Sequence, residues 1–171
     1  MGLISHNAAV TPAEKEHGHT ITYTGGSIVI NGAISSTTGI TATGNTGVTT
    51  TADLTSTGGA ISLAATTGTL SVGGDVITSV SGVGTGTVTL NAAAGQLSIL
   101  SAGDITSGGT IELTGATGIV TAGDILTTGA DVNFNSATTL SGNIAINTGS
   151  GPGTIGFDST LGSGNTSTKL S

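Results

Sequence analysis

Residues 103–113 read Gly103-Asp104-Ile105-Thr106-Ser107-Gly108-Gly109-Thr110-Ile111-Glu112-Leu113, and the way this stretch recurs decides the fold. Its core is an Asp, an aliphatic residue and a short Thr/Ser/Gly run. An aliphatic residue, any residue and a large apolar residue then follow. Further copies are ADLTSTGGAISL at 52–63, GDVITSVSGVGTGTVTL at 74–90, GDILTTGADVNF at 123–134 and GNIAINTGSGPGTIGF at 142–157. GAISSTTGITA at 32–42 is a weaker first copy. Repeats of roughly 20 to 29 residues mean a stacked architecture, because one unit cannot bury its apolar face without the next.

Aligning the copies gives an aliphatic column of Ile40, Ile61, Val88, Ile111, Val132 and Ile155. Two residues later come Ala42, Leu63, Leu90, Leu113, Phe134 and Phe157. A spacing of two puts both side chains on one face of a strand. A second strand supplies Ile34, Leu54, Val76, Ile105, Ile125 and Ile144. A third, less regular, includes Ile28/Ile30, Val48, Leu70/Val72, Leu97/Ile99, Ile119 and Leu140. The first column steps by 21, 27, 23, 21 and 23 residues. The column Ala33, Asp53, Asp75, Asp104, Asp124, Asn143 steps by 20, 22, 29, 20 and 19. One insertion at Ser79–Gly86 lies inside both of the longest steps, so a single Gly-rich bulge accounts for most of the excess.

Three short strands in about 21 residues describe one coil of a parallel β-helix, each strand with a neighbour in the next coil. Helices are poor competitors: Gly and β-branched Thr, Val and Ile are weak helix formers. An antiparallel sandwich calls for longer alternating strands and hairpin turns. Coils stacked about 4.8 Å apart make six of them a rod of roughly 29 Å. The expected division is 1–24 as an N-terminal cap or docking arm, 25–161 as solenoid and 162–171 as a C-terminal tail. Within the first segment, Thr11-Pro12-Ala13-Glu14 has the form of a short helix start, with Thr as cap and Pro at the first position.

Composition narrows the function classes. Charged residues make up 6% of the 171, with 31 Gly and 35 Thr. The two cations are Lys15 and Lys169, and there is no Arg. Nucleic-acid binding draws on several phosphate-neutralising cations, so that class is set aside. A net charge of −7 also argues against anionic membrane surfaces. Cysteine is absent, which leaves neither a disulfide framework nor a thiolate metal site. No apolar run approaches 18 residues, so no membrane insertion is expected. MGLISHNAAVTPAEKEHGH has neither the basic start nor the apolar stretch of a signal peptide. An extracellular location would therefore make the chain an excerpt or a mature piece of a longer precursor.

The stretch GDITSGGTIELTGATGIVTAGDILTTGADVNFNSATTLSGNIAINTGSGPGTIGFDSTL at 103–161 resembles the repeat regions of filamentous-haemagglutinin-like and related giant bacterial surface adhesins. The likeness extends over about residues 25–161. It implies a right-handed parallel β-helix, exported to the cell surface for adhesion, biofilm or fibre building. The chain departs from that family in showing no export signal, secretion domain or outer-membrane barrel.

The candidate chemistry is sparse. Asp53, Asp75, Asp104 and Asp124 share one column. Stacked carboxylates repel unless a hard cation such as Ca²⁺ bridges them, which makes calcium the metal alternative. The simpler reading is that each Asp caps a turn by accepting backbone N–H bonds. One carboxylate per coil favours the cap, since Ca²⁺ takes six to eight oxygens. His17 and His19 with Glu14 and Glu16 are a second metal candidate, but one short segment rarely closes a coordination shell. Catalysis lacks its parts: there is no Lys, Arg or His in the repeats to complement Asp131, Glu112 and Asp158. The expectation is no enzyme and no cofactor. Ice binding through a Thr array is the runner-up. The outward column Thr41, Ser62, Thr89, Glu112, Asn133, Gly156 is interrupted by Glu112 and Gly156. The reading is a structural solenoid, an adhesin shaft or the subunit of an extracellular fibre. Its expected partners are further copies of itself end to end, and a host or cell surface.

Overall fold

A computed structural model of the chain describes residues 2–6, 20–79 and 85–164. The expected helix start at 11–14, the Glu14/Glu16/His17/His19 group and residues 80–84 of the insertion lie outside the described residues. The described residues are all-β, and every strand pairing is parallel. The chain winds as a β-solenoid of about six turns with three faces.

Each turn visits the faces in a fixed order. The first face stacks the opening halves of Ile21–Ile30 and Ile40–Thr50, then Ile61–Ala65, Val88–Ala92, Ile111–Gly115, Val132–Phe134 and Ile155–Phe157. The second stacks Leu3–His6, the closing halves of the same two long strands, then Thr69–Val72, Leu97–Ile99, Ile119–Thr121, Thr138–Leu140 and Leu161–Ser163. The third stacks Ile34–Ser36, Leu54–Ser56, Val76–Ile77, Ile105–Ser107, Ile125–Thr127 and Ile146–Asn147. Because Ile21–Ile30 and Ile40–Thr50 run round the corner unbroken, the first two faces form one bent sheet, and the third stands alone.

Alternation explains the core. In Ile111–Gly115 the buried positions are Ile111, Leu113 and Gly115, with Glu112 and Thr114 turned outward. The first-face columns pair as the repeats require, Ile61 on Val88 on Ile111 and Leu63 on Leu90 on Leu113. Phe134 and Phe157 end the second of these columns with rings stacked at 4.5 Å and 11°. Such an offset pair contributes about 0.5–1.5 kcal/mol beyond its buried area. Each fully buried aliphatic contributes about 1.5–3 kcal/mol relative to its exposed state.

One element of the third-face column is corrected. Ile125 pairs with Ile146, not Ile144. Ile144 is buried nonetheless. Two isoleucines two residues apart both satisfy the inward pattern, and the turn from Leu140 into the third face uses two more residues than the column alignment allowed. The corrected last step is 21 residues (146 − 125), which removes the short final interval. The solenoid also extends beyond the 25–161 segment, beginning on the first face at Ile21 and on the second at Leu3, and running to Ser163.

The second-face column Ile30, Thr50, Val72, Ile99, Thr121, Leu140 carries two hydroxyls into the core. Thr121 Oγ1 donates to the Gly123 carbonyl at 3.3 Å, whereas Thr50 Oγ1 is buried with no hydrogen-bond partner among the described residues. A buried hydroxyl without a partner costs about 1–3 kcal/mol. Thr50→Val keeps the shape and removes the unmet group, so chemical denaturation is expected to show stability raised by about 1 kcal/mol. A loss of stability would mean that the Thr50 hydroxyl has a partner after all.

Candidate functional site

The corner between the second and third faces carries the Gly-Asp dipeptides. Here the chain passes so close to the coil beneath that a side chain has no room. A Cβ on Gly103 would lie 2.6 Å from the Val72 carbonyl oxygen, and one on Gly74 would strike the Ala52 backbone. Glycine clears this approach, and the Asp that follows faces outward.

The carboxylates then tie one coil to the next. Asp53 Oδ1 accepts the Asp75 N–H at 3.0 Å, Asp75 Oδ1 the Asp104 N–H at 3.1 Å, and Asp104 Oδ1 the Asp124 N–H at 2.8 Å. Asp124 Oδ1 closes the series on the Ala145 N–H at 2.8 Å. Turn capping was the expected role. Instead of an N–H of its own turn, each carboxylate takes the N–H of the residue stacked one coil on. The last rung is Ala145 rather than Asn143, in keeping with the Ile146 register. Asp131 makes the equivalent tie at another corner, accepting the Thr154 N–H at 2.7 Å and the Thr154 hydroxyl at 2.9 Å.

The ladder sets its own electrostatics. Burial pushes the Asp75 carboxyl above the ordinary range, the Asp104 N–H bond opposes this, and the charges of Asp53 and Asp104 push the same way as burial. The Thr154 N–H and hydroxyl bonds hold Asp131 below it. A raised carboxyl favours the fold when protonated, and that contribution is lost as pH rises through the folded-state value. Asp131 has the opposite sign, stabilising above the ordinary value and losing that contribution as pH falls.

The donor set for a cation is thin. One oxygen of each carboxylate is already engaged by a backbone N–H, and Ca²⁺ takes six to eight oxygens at about 2.3–2.6 Å. Among the described residues, no three His, Cys, Asp or Glu side chains converge. Asp104→Asn retains the accepting oxygen, so thermal melts are expected to move by less than about 1 kcal/mol, with or without calcium. Asp75→Asn should raise stability near neutral pH, by under about 1 kcal/mol given solvent screening. That gain should vanish below the ordinary value of 3.8, where Asp75 is neutral too. A calcium-dependent rise in melting temperature that Asp104→Asn abolishes would instead establish a bridging ion.

A second column escaped the reading of the sequence. Ser36, Ser56, Thr78, Ser107 and Thr127 are buried at the corner between the third face and the next coil. Their hydroxyls satisfy the turn. Ser36 Oγ accepts the Gly39 N–H at 3.1 Å and Ser56 Oγ the Gly59 N–H at 3.2 Å. Thr78 Oγ1 and Ser107 Oγ both donate to the Gly86 carbonyl, at 2.6 and 2.9 Å. These bonds anchor the far end of the 79–86 insertion. The signal was present, since each hydroxyl follows an inward aliphatic by two residues.

On the first face, Glu112 accepts the Asn133 amide at 2.8 Å and the Asn135 amide at 3.0 Å, tying adjacent coils across the outward surface. On the third face, Asp104, Thr106, Asp124, Leu126 and Asn147 border a shallow depression of about 290 Å³. No family model, curated protein or solved structure matches the chain.

Proposed function

We propose that the chain is a structural β-solenoid, either the shaft segment of a bacterial surface adhesin or the subunit of a self-assembling extracellular fibre. The observation that carries this reading is the strand edge that the last coil presents among the described residues. Ile155 and Leu161 stand in inward columns, yet they are 39% and 44% exposed, whereas their counterparts within the rod are buried. Neither Ile155–Phe157 nor Leu161–Ser163 carries a charged residue. Edge strands that stay solitary usually bear charge, proline or a bulge, and an uncharged edge templates another strand. The outward surfaces, mostly Thr, Ser, Asn and Gly, suit a solvated shaft. The likeness to adhesin repeats supports an extracellular or cell-surface location.

Electron microscopy across a concentration series tests this, and filaments are expected. A rod that stays monodisperse at high concentration would remove the fibre subunit and leave the shaft. Ice binding is the alternative, resting on the neighbouring pairs Thr22/Thr41 and Thr24/Thr43. Its weakness is that the same outward columns continue into Ala64, Glu112 and Gly156.

A further inference from the structure

The two ends of the second face belong to one series. Following the pairings coil by coil, Ile4 lies on Ile28, then Val48, Leu70, Leu97, Ile119, Thr138 and finally Leu161. Among the described residues, Leu3–His6 has a strand neighbour only on its Ser27–Ile30 side, and Leu161–Ser163 only on its Thr138–Leu140 side. Both edges run in the same direction and carry apolar residues at the inward position of the same column.

We propose that the Leu161–Ser163 edge takes the Leu3–His6 strand of a second copy as its next parallel strand, with Ile4 of the incoming copy seated on Leu161. This rests on the fibre reading and specifies its joint. On the second face the step repeats one made seven times within the chain, parallel and in register. Leu161 loses its exposure, and so does Ile4, which is only partly buried at the other end. The contact joins two different surfaces, hence it is heterologous and does not close on itself. Each addition exposes the same edge again, which yields an open filament.

The register makes a covalent test available. Leu161 over Ile4 places Gly162 beside Ser5, both at outward positions, since Ser5 pairs with Val29 and Gly162 with Thr139. A Cβ at Gly162 has no heavy atom nearer than 3.9 Å, so cysteine fits there. Neighbouring parallel strands bring Cα atoms to roughly 5 Å, within the disulfide range of about 4.4–6.8 Å. The chain has no cysteine of its own. Within one molecule the two positions stand seven strand steps apart, roughly 34 Å, so a bond between them joins two copies.

Oxidation of the Ser5→Cys/Gly162→Cys chain is expected to give a ladder of covalent dimers, trimers and longer species on a non-reducing gel. Ser5→Cys paired with Gly156→Cys, on the first face, should give none. Leu161→Lys should raise the concentration needed for assembly at least tenfold while leaving the melt of the monomer unchanged. Filaments that form without the 5–162 crosslink, or that Leu161→Lys does not weaken, would overturn this joint and leave the fibre reading standing. Failure of the parent chain to assemble at any concentration would overturn both.

Discussion

Leu113→Asp is expected to abolish the fold. Leu113 is completely buried, packed in its column between Leu90 and Phe134 at the middle of the rod. An unpaired carboxylate there is closed off among apolar side chains, and an isolated buried charge costs far more than a typical substitution. Even protonated, it removes about 1.5–3 kcal/mol of apolar burial. Far-UV circular dichroism should show loss of the β signal or aggregation during expression. The neighbouring position supplies the contrast. Glu112 is one residue away and faces outward, so Glu112→Gln, which gives up one of two acceptor oxygens at the surface, should cost under about 1 kcal/mol and keep the fold. Strand periodicity alone separates the two outcomes. If Leu113→Asp folded with a normal melt, the inward column would be misassigned.

Gly103→Ala is expected to destabilise by about 1–3 kcal/mol, the range for overpacking a tight site. The added Cβ would stand 2.6 Å from the Val72 carbonyl oxygen, and a backbone atom cannot swing aside as a side chain does. Relief requires the corner to lift, which loosens the Asp104 N–H bond to Asp75 next to it. Gly162→Ala is the control, because its Cβ meets nothing within 3.9 Å. It should be neutral in the monomer. Chemical denaturation of the two variants side by side checks both. Equal stabilities would mean that the Gly-Asp dipeptides are not explained by close approach.

The architecture was legible because two independent periodicities agree. Ile111 and Leu113 show the spacing of two that makes a strand. Their recurrence as Val88 and Leu90, then Val132 and Phe134, shows the coil length. What escaped was decided by features that a linear pattern does not encode. GNIAIN offers Ile144 and Ile146 equally to the third-face column, and the geometry of the preceding turn chooses Ile146. The aspartates were visible as a column, but the rise between coils, which brings each carboxylate to the next coil's N–H, has no counterpart in sequence spacing. Ser107 and Thr127 stand two residues after the inward Ile105 and Ile125, yet Ser and Thr are also the common residues of a solvated strand, so residue type alone does not mark them as core. In a solenoid corner, buried carbonyls and N–H groups need partners, and a short hydroxyl supplies one without widening the turn.

The most direct test of a solenoid that lengthens by stacking is X-ray diffraction from oriented filaments of the chain. Stacking coil upon coil predicts a reflection at about 4.8 Å along the filament axis, with strands perpendicular to it. The same spacing found perpendicular to the axis would mean that rods associate side by side. That result would contradict growth through the open strand edges.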